Sequence, residues 1–179
     1  VALGSVGCAP STMPSADASG RSGYAAPADL PGPSGLADAT LADALAARRS
    51  VREFRDAALT VQQVSDLLWA AQGVTSDEGG RTAPSAGGLY PLEVYLVTED
   101  AVLHYLPDAH RIESRDSATA RPAVADAVGQ GAARRAPAVV VIAGVPSRVE
   151  PKYGGRAERY LLLEAGHAAQ NLLLAAAAL

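Results

Sequence analysis

Residues 81–97 read RTAPSAGGLYPLEVYLV. Small or turn-forming residues (Pro84, Ser85, Ala86, Gly87, Gly88) run straight into an alternating apolar strand. Glycine allows positive φ and close backbone approach, so such a stretch is either a tight connection or a backbone surface lying against something flat. Backbone N–H groups freed of bulky side chains can meet the ring nitrogens and carbonyls of a planar ligand. The spacing is that of neither a dinucleotide fingerprint nor a P-loop.

Working outward, the strand EVYLVTE is followed closely by AVLHYLP, and two strands so near each other predict a hairpin. Upstream, LTVQQVSDLLWAAQG predicts a helix with a complete start signal. Thr60 and Gln63 form a capping box, Leu59 and Val64 a hydrophobic staple, and Gly73 the stop. Its apolar stripe is Val61, Val64, Leu67, Leu68 and Ala71. Before it, ATLADALAARR predicts a helix with Thr40 as N-cap and Leu41 and Leu45 on one face. Downstream, RPAVADAVGQGAARR reads as a weaker helix, ended or bent near Gly129 and Gly131. APAVVVIAGV is apolar throughout, which predicts a strand in the middle of a sheet. AERYLLLEAGHAAQNLLLAAAAL predicts at least 22 residues of helix, apolar on most faces and therefore buried all round in a core or an interface. Interspersed strands and helices indicate an α+β or α/β domain around one sheet.

The 179 residues suit one domain. Hydrophobic residues make up 49%, but much of that is alanine and aromatics are only 4%. Alanine contributes little burial energy, so a shared subunit interface is expected. The net charge of -4 gives no support to nucleic-acid binding. The single cysteine, Cys8, excludes an intrachain disulfide framework and a Cys-based zinc site. No apolar run reaches the roughly 18 residues of a membrane span. Residues 1–37 have linker composition, with the packed domain expected over 38–179. The start VALGSVGC resembles the tail of a bacterial lipoprotein signal ending in a lipidated cysteine; the alternative is a disordered N-terminus with an incidental Cys8. The chain starts at Val and stops inside a helical pattern, so both ends read as cut.

Three further segments carry chemistry-bearing residues. In RRSVREF, Arg48, Arg49, Ser50 and Arg52 form a donor set suited to a phosphate monoester. The same arginines follow a helix C-terminus, where they also satisfy its last carbonyls. In PKYGGRAERY, Lys152 and Tyr153 are adjacent, fit for acid/base work if burial moves either pKa, and otherwise a solvated loop. Glu164 and His167 stand three apart on one helix face. Carboxylate-bridged di-iron helices need two such pairs and further glutamates, so no metal site is assigned. A nucleophile triad is not supported either, since the histidines are His104, His110 and His167, two of them in or beside the hairpin.

In order, the segments AL-ARRSVREF, LLWAAQG, RTAPSAGGLYPLEVYLV and KYG-RAERYLLLEAGHAAQNLLL resemble the nitroreductase-type flavoproteins. They are closest to the branch of azoline dehydrogenases that form thiazoles and oxazoles in ribosomal peptides. The resemblance covers roughly residues 38–179. It implies an α+β fold with a central mixed or antiparallel sheet flanked by helices, and a long central helix at a homodimer interface. It also implies FMN bound at that interface, with hydride cycling through flavin N5. By the same resemblance Arg48, Arg49, Ser50 and Arg52 hold the phosphate and ribityl end. Pro84, Ser85, Ala86, Gly87 and Gly88 lie along the isoalloxazine ring, partly on behalf of the opposite subunit, and Gln130 offers an amide to the flavin. Lys152 and Tyr153 match the pair to which azoline oxidisers assign proton removal.

Two departures stand beside the resemblance. The chain stops before the family's Gly-rich strand and the basic residues that complete the phosphate site. Its export-like start is unexpected for a cytoplasmic peptide-modifying complex and points to a stand-alone member. Three functions follow: an FMN-dependent oxidoreductase transferring hydride between FMN and a small-molecule or peptide substrate, an NAD(P)H-dependent nitro or quinone reductase, and a non-catalytic, flavin-free dimeric relic. Export or anchoring through Cys8 and a cytoplasmic location both stay open.

Overall fold

The computed structural model describes residues 28–179 apart from residue 37. Cys8 and the lipoprotein-like start lie outside the described residues. The sheet has five strands: β1 (Ala28–Asp29), β2 (Leu92–Val97), β3 (Ala101–Leu106), β4 (Arg111–Asp116) and β5 (Val139–Gly144). Their order is β1-β4-β3-β2-β5, and every pair is antiparallel. The helices are α1 (Leu41–Ala47), α2 (Val61–Gln72), α3 (Ala120–Val128), α4 (Gly131–Arg135), α5 (Glu150–Tyr153) and α6 (Ala157–Ala178). The fold is α+β, as the interspersed pattern indicates.

Side-chain alternation sorts the sheet into two faces. Val94, Leu96 and Tyr105 point inward and pack with Val64, Leu67 and Leu68 of α2 and Leu172 and Ala175 of α6. Glu93, Tyr95, His104 and Glu113 point the other way. Tyr95 and His104 are cross-strand partners, as are His104 and Glu113. One helical layer therefore covers one face, and the polar row occupies the other.

Helix starts follow the sequence closely. Thr40 caps α1 by accepting the Asp43 N–H, and Thr60 and Gln63 close the capping box of α2. Gly129, at φ 67°, ends α3 in the left-handed conformation that favours glycine, which separates it from α4. Apolar positions fared less evenly. Val64, Leu67, Leu68 and Ala71 are buried, but Val61 is exposed, because it begins α2 beyond the reach of the sheet. Leu41 and Leu45 are also exposed, and the residue of α1 that packs inward is Ala44.

Three further differences from the sequence reading have physical reasons. β4 was not anticipated: RIESRD alternates Ile112 inward with charged residues on the solvated face, which hides the strand period. β5 is an edge strand among the described residues rather than a central one. It is apolar because Val140 and Ile142 pack inward while Val141 lies beside Tyr95 on the other face. α6 has the expected length of 22 residues, yet Leu162 and Leu163 are exposed on one side of it.

The packed region also begins earlier than residue 38. Leu30 is buried in the core, and the segment around it is strapped down by polar groups. Ser65 Oγ and Gln62 Nε2 donate to the carbonyls of Pro31 and Gly32, and the Leu30 N–H donates to the His110 carbonyl. His110 Nε2 lies 2.9 Å from the Pro31 carbonyl, which only accepts, so that nitrogen carries the proton. The Tyr105 hydroxyl lies 2.9 Å from His110 Nδ1. Burial pushes the Tyr105 phenol well above its usual range, so it keeps its proton.

Candidate active site

The side-chain-poor stretch lies on α6. From residue 82 to residue 92 it crosses the helix, and three residues of α6 meet it at successive turns. Glu164 Oε1 accepts the Ala86 N–H at 2.8 Å, Ala168 packs with Ala83 and Leu92, and Asn171 Nδ2 donates to the Thr82 carbonyl at 2.9 Å. Spacings of four and three put the three residues on one helix face. The start of the stretch is tied to the end of α2 as well. Thr82 donates through its N–H to the Gly73 carbonyl and through its hydroxyl to the Trp69 carbonyl.

Ser85 closes the turn itself. Its carbonyl accepts the Gly88 N–H, and its hydroxyl accepts the Tyr90 N–H at 2.9 Å. Residues 86–88 form a single tight helical turn with Gly87 at φ 66°. Tyr90 also has positive φ, 43°, a strained conformation for a residue other than glycine. Two arginines hold it: Arg81 lies 4.5 Å from its ring centroid, and Arg148 donates to its carbonyl at 3.2 Å. Arg148 also pairs with Glu93. Burial alone would raise the Glu93 pKa, but hydrogen bonds from His104 and Arg148 outweigh it and hold the carboxyl below its usual value.

Gly87 is where two of the predicted groups come together. A Cβ built there would lie 2.5 Å from Lys152 Nζ and 2.7 Å from Tyr153 Oη. The lysine and the phenol therefore rest on the bare backbone of the turn, in a space that any other residue would fill. They reach it from α5, a short helix on which Lys152 is exposed and Tyr153 half-buried. The Tyr153 ring is packed edge-on against Tyr160 of α6, with centroids 4.7 Å apart, and Lys152 Nζ lies 5.5 Å from its own neighbour's ring. Pro84, Ser85, Ala86, Gly87, Gly88, Lys152 and Tyr153 thus form one cluster on α6.

The arginine segment forms a second group. Arg49 donates to the Ala46 and Arg48 carbonyls at the end of α1, and Arg52 donates to the Ser50 carbonyl. Helix-end capping, the plainer reading of these residues, is thus present in the chain. Each of those two side chains uses a single terminal nitrogen and is otherwise exposed. Gln130 is exposed at the N-cap of α4, and the last residue of that helix, Arg135, donates to the Arg52 carbonyl at 3.3 Å. α6 serves both groups, since α1 packs on it and the stretch from Thr82 is clamped to it. A cavity of about 290 Å³ between α1, α2 and α6 is lined by Leu41, Ala44, Trp69, Thr82, Asn171 and Leu174.

Glu164 and His167 part company in the fold: Glu164 is buried under Ala86, while His167 is exposed. No group of three metal-ligating side chains occurs among the described residues. Sequence reasoning missed Glu164 and Asn171 as clamps. The available signal was the seven-residue spacing of two polar side chains, with an alanine between them, in a helix otherwise rich in leucine and alanine.

Residues 45–179 match the model described as the nitroreductase family. A Methanocaldococcus jannaschii protein named "putative nitroreductase" is 40% identical over 146 residues, covering 78% of this chain and 74% of that protein. A crystal structure under the same name from Ralstonia eutropha has a TM-score of 0.74 at 32% identity, covering 85% of this chain and 71% of that one. A chain in the E. coli microcin synthetase McbBCD complex with truncated pro-MccB17 bound has a TM-score of 0.55 at 26% identity. That match covers 68% of this chain and 50% of the other.

Proposed function

The chain belongs to the nitroreductase family, whose members are flavin-type oxidoreductases, and on that premise we propose an FMN-dependent enzyme of the azoline-dehydrogenase type. Its substrate is a small molecule or peptide bearing an oxidisable five-membered ring. The observation that carries this reading is the meeting of Lys152 Nζ and Tyr153 Oη on the bare backbone of Gly87. The microcin synthetase match supports it, since that complex has truncated pro-MccB17 bound.

The residues present suit the cofactor. Lys152 and Tyr153 fill the space beside Gly87, while the space beside Gly88 is open, so bare backbone is offered next to the pair. Arg48, Arg49, Ser50 and Arg52 bring guanidinium and hydroxyl donors of the kind that hold a phosphate monoester. Gln130 adds an amide from α4. When bound, FMN supplies a two-electron hydride acceptor or donor. The chain must then supply a proton acceptor, and Lys152 and Tyr153 are the groups available beside the turn. Tyr160 and the α5 backbone hold Tyr153 in place, so the phenol keeps its position relative to Gly87.

The assembly proposed is a homodimer through α6 and α1. Leu41, Leu45, Leu162 and Leu163 are exposed in the single chain, and together they offer apolar surface of the kind subunit interfaces cover. A second enzymatic reading, an NAD(P)H-dependent nitro or quinone reductase, draws on the names of the Methanocaldococcus and Ralstonia relatives.

The deciding experiment reconstitutes the protein with FMN and follows flavin absorbance during anaerobic addition of either a thiazoline substrate or NAD(P)H. Bleaching by the thiazoline supports the dehydrogenase, and bleaching by NAD(P)H alone supports the reductase. Failure to take up FMN at all would leave only a flavin-free dimer. Lys152→Ala should retain FMN while slowing thiazoline oxidation by roughly a hundredfold or more, the usual weight of a general base. Equal loss of FMN would make Lys152 a structural residue.

A further inference from the structure

We propose that Glu164 is a positioning residue for the Lys152–Tyr153 pair, acting through the turn at Ala86 and Gly87. This rests on the reading above for what the pair does, but not for how the turn is held. Glu164 is only 4% exposed, on the face of α6 that also carries Ala168 and Asn171. A carboxylate in such a place is costly unless it makes bonds that a hydrocarbon cannot. The bond it makes is to the N–H of Ala86, at 2.8 Å, the first residue of the tight turn. That bond fixes the peptide at the start of the turn.

The next residue along the chain is Gly87, against which Lys152 Nζ and Tyr153 Oη rest. Glu164 is thus one residue removed from the surface that sets where both groups sit. Asn171 holds the same strand of backbone at Thr82, so rotation of the turn about a single attachment is prevented. An apolar residue at position 164 would fill the volume and leave the Ala86 N–H without its acceptor. The turn would then be free to drift from the pair.

The test uses the full chain with Glu164→Gln, Glu164→Leu and Ala86→Pro. Glutamine keeps an acceptor oxygen, leucine removes it, and proline removes the donor at a helix-start position that tolerates proline, its ring displacing the Glu164 carboxylate. Amide hydrogen exchange without FMN should show Gly88 and Tyr90, whose N–H groups bond to Ser85, protected equally in wild type and Glu164→Gln. In Glu164→Leu and Ala86→Pro, exchange there should rise by roughly tenfold to a hundredfold, with α2 amides unchanged. With FMN and thiazoline, the same two variants should lose kcat by a similar factor while KM stays within about twofold, and Glu164→Gln should restore kcat.

Unchanged exchange in both disruptive variants overturns the clamp. Faster exchange with unchanged kcat overturns the positioning role. If Glu164→Leu loosens α2 as well, Ala86→Pro decides alone, because it changes no residue of α6. A wild type that neither takes up FMN nor oxidises thiazoline sinks the functional reading, and the exchange contrast still judges the clamp.

Discussion

Gly87 has two independent reasons to be glycine. Its φ of 66° is a conformation side chains rarely adopt, and the space a Cβ would occupy holds Lys152 Nζ and Tyr153 Oη. Gly87→Ala should cost about 1–2 kcal/mol for the left-handed backbone alone, measured as a lowered urea midpoint. It should also displace the pair, so kcat should fall by more than the stability loss explains. Arg52 poses the opposite question, since its donors cap backbone and also face solvent. Arg52→Ala should weaken FMN binding roughly tenfold to a hundredfold if it holds phosphate, about 1.5–3 kcal/mol, read by flavin titration. Unchanged affinity would leave it a capping residue. At this scale the sequence made the turn and the Lys–Tyr pair visible as separate items of composition and adjacency. It could not show that they touch, nor that Glu164 and Asn171 serve the turn, because those relations span 65 to 89 residues of chain or hinge on which helix face turns inward.

Elements with local signals were legible and those without were not. The capping box of α2 involves neighbours only, so it could be read directly and occurs as expected. β4 has no such signal, because its charged residues sit on a face that tertiary structure leaves solvated. That face carries the link between β2 and β3: Glu93 accepts from His104 at 2.7 Å and pairs with Arg148. Burial raises the Glu93 pKa, but these partners together lower it below 4.5. A depressed carboxylate stabilises the fold above its unfolded-state pKa, and that contribution fades as pH falls through the folded value. Glu93→Gln should therefore be less stable than wild type near neutral pH, with the gap closing below about pH 4.5. Urea midpoints at about pH 7 and about pH 3 would show it, and a gap that widened in acid would contradict the assignment.

For the whole molecule, the sequence reads the largely apolar final helix as buried all round in a core or an interface, and the single chain leaves one side of it open. Leu162 is 62% exposed and Leu163 51%. Leu163→Glu should convert a homodimer to monomer in sedimentation velocity, with FMN retention falling in parallel if the cofactor sits between subunits. A wild-type monomer at micromolar concentration would remove the dimer proposal. The chain holds one tryptophan, Trp69, and its carbonyl accepts from the Thr82 hydroxyl where the turn-bearing stretch begins. That gives the molecule a built-in optical probe. Its indole stands in the cavity wall shared by α1 and α6, so its emission should shift or be quenched when that region is filled or rearranged. Occupancy and assembly can then be followed by fluorescence alone, without a coloured cofactor or a turnover assay.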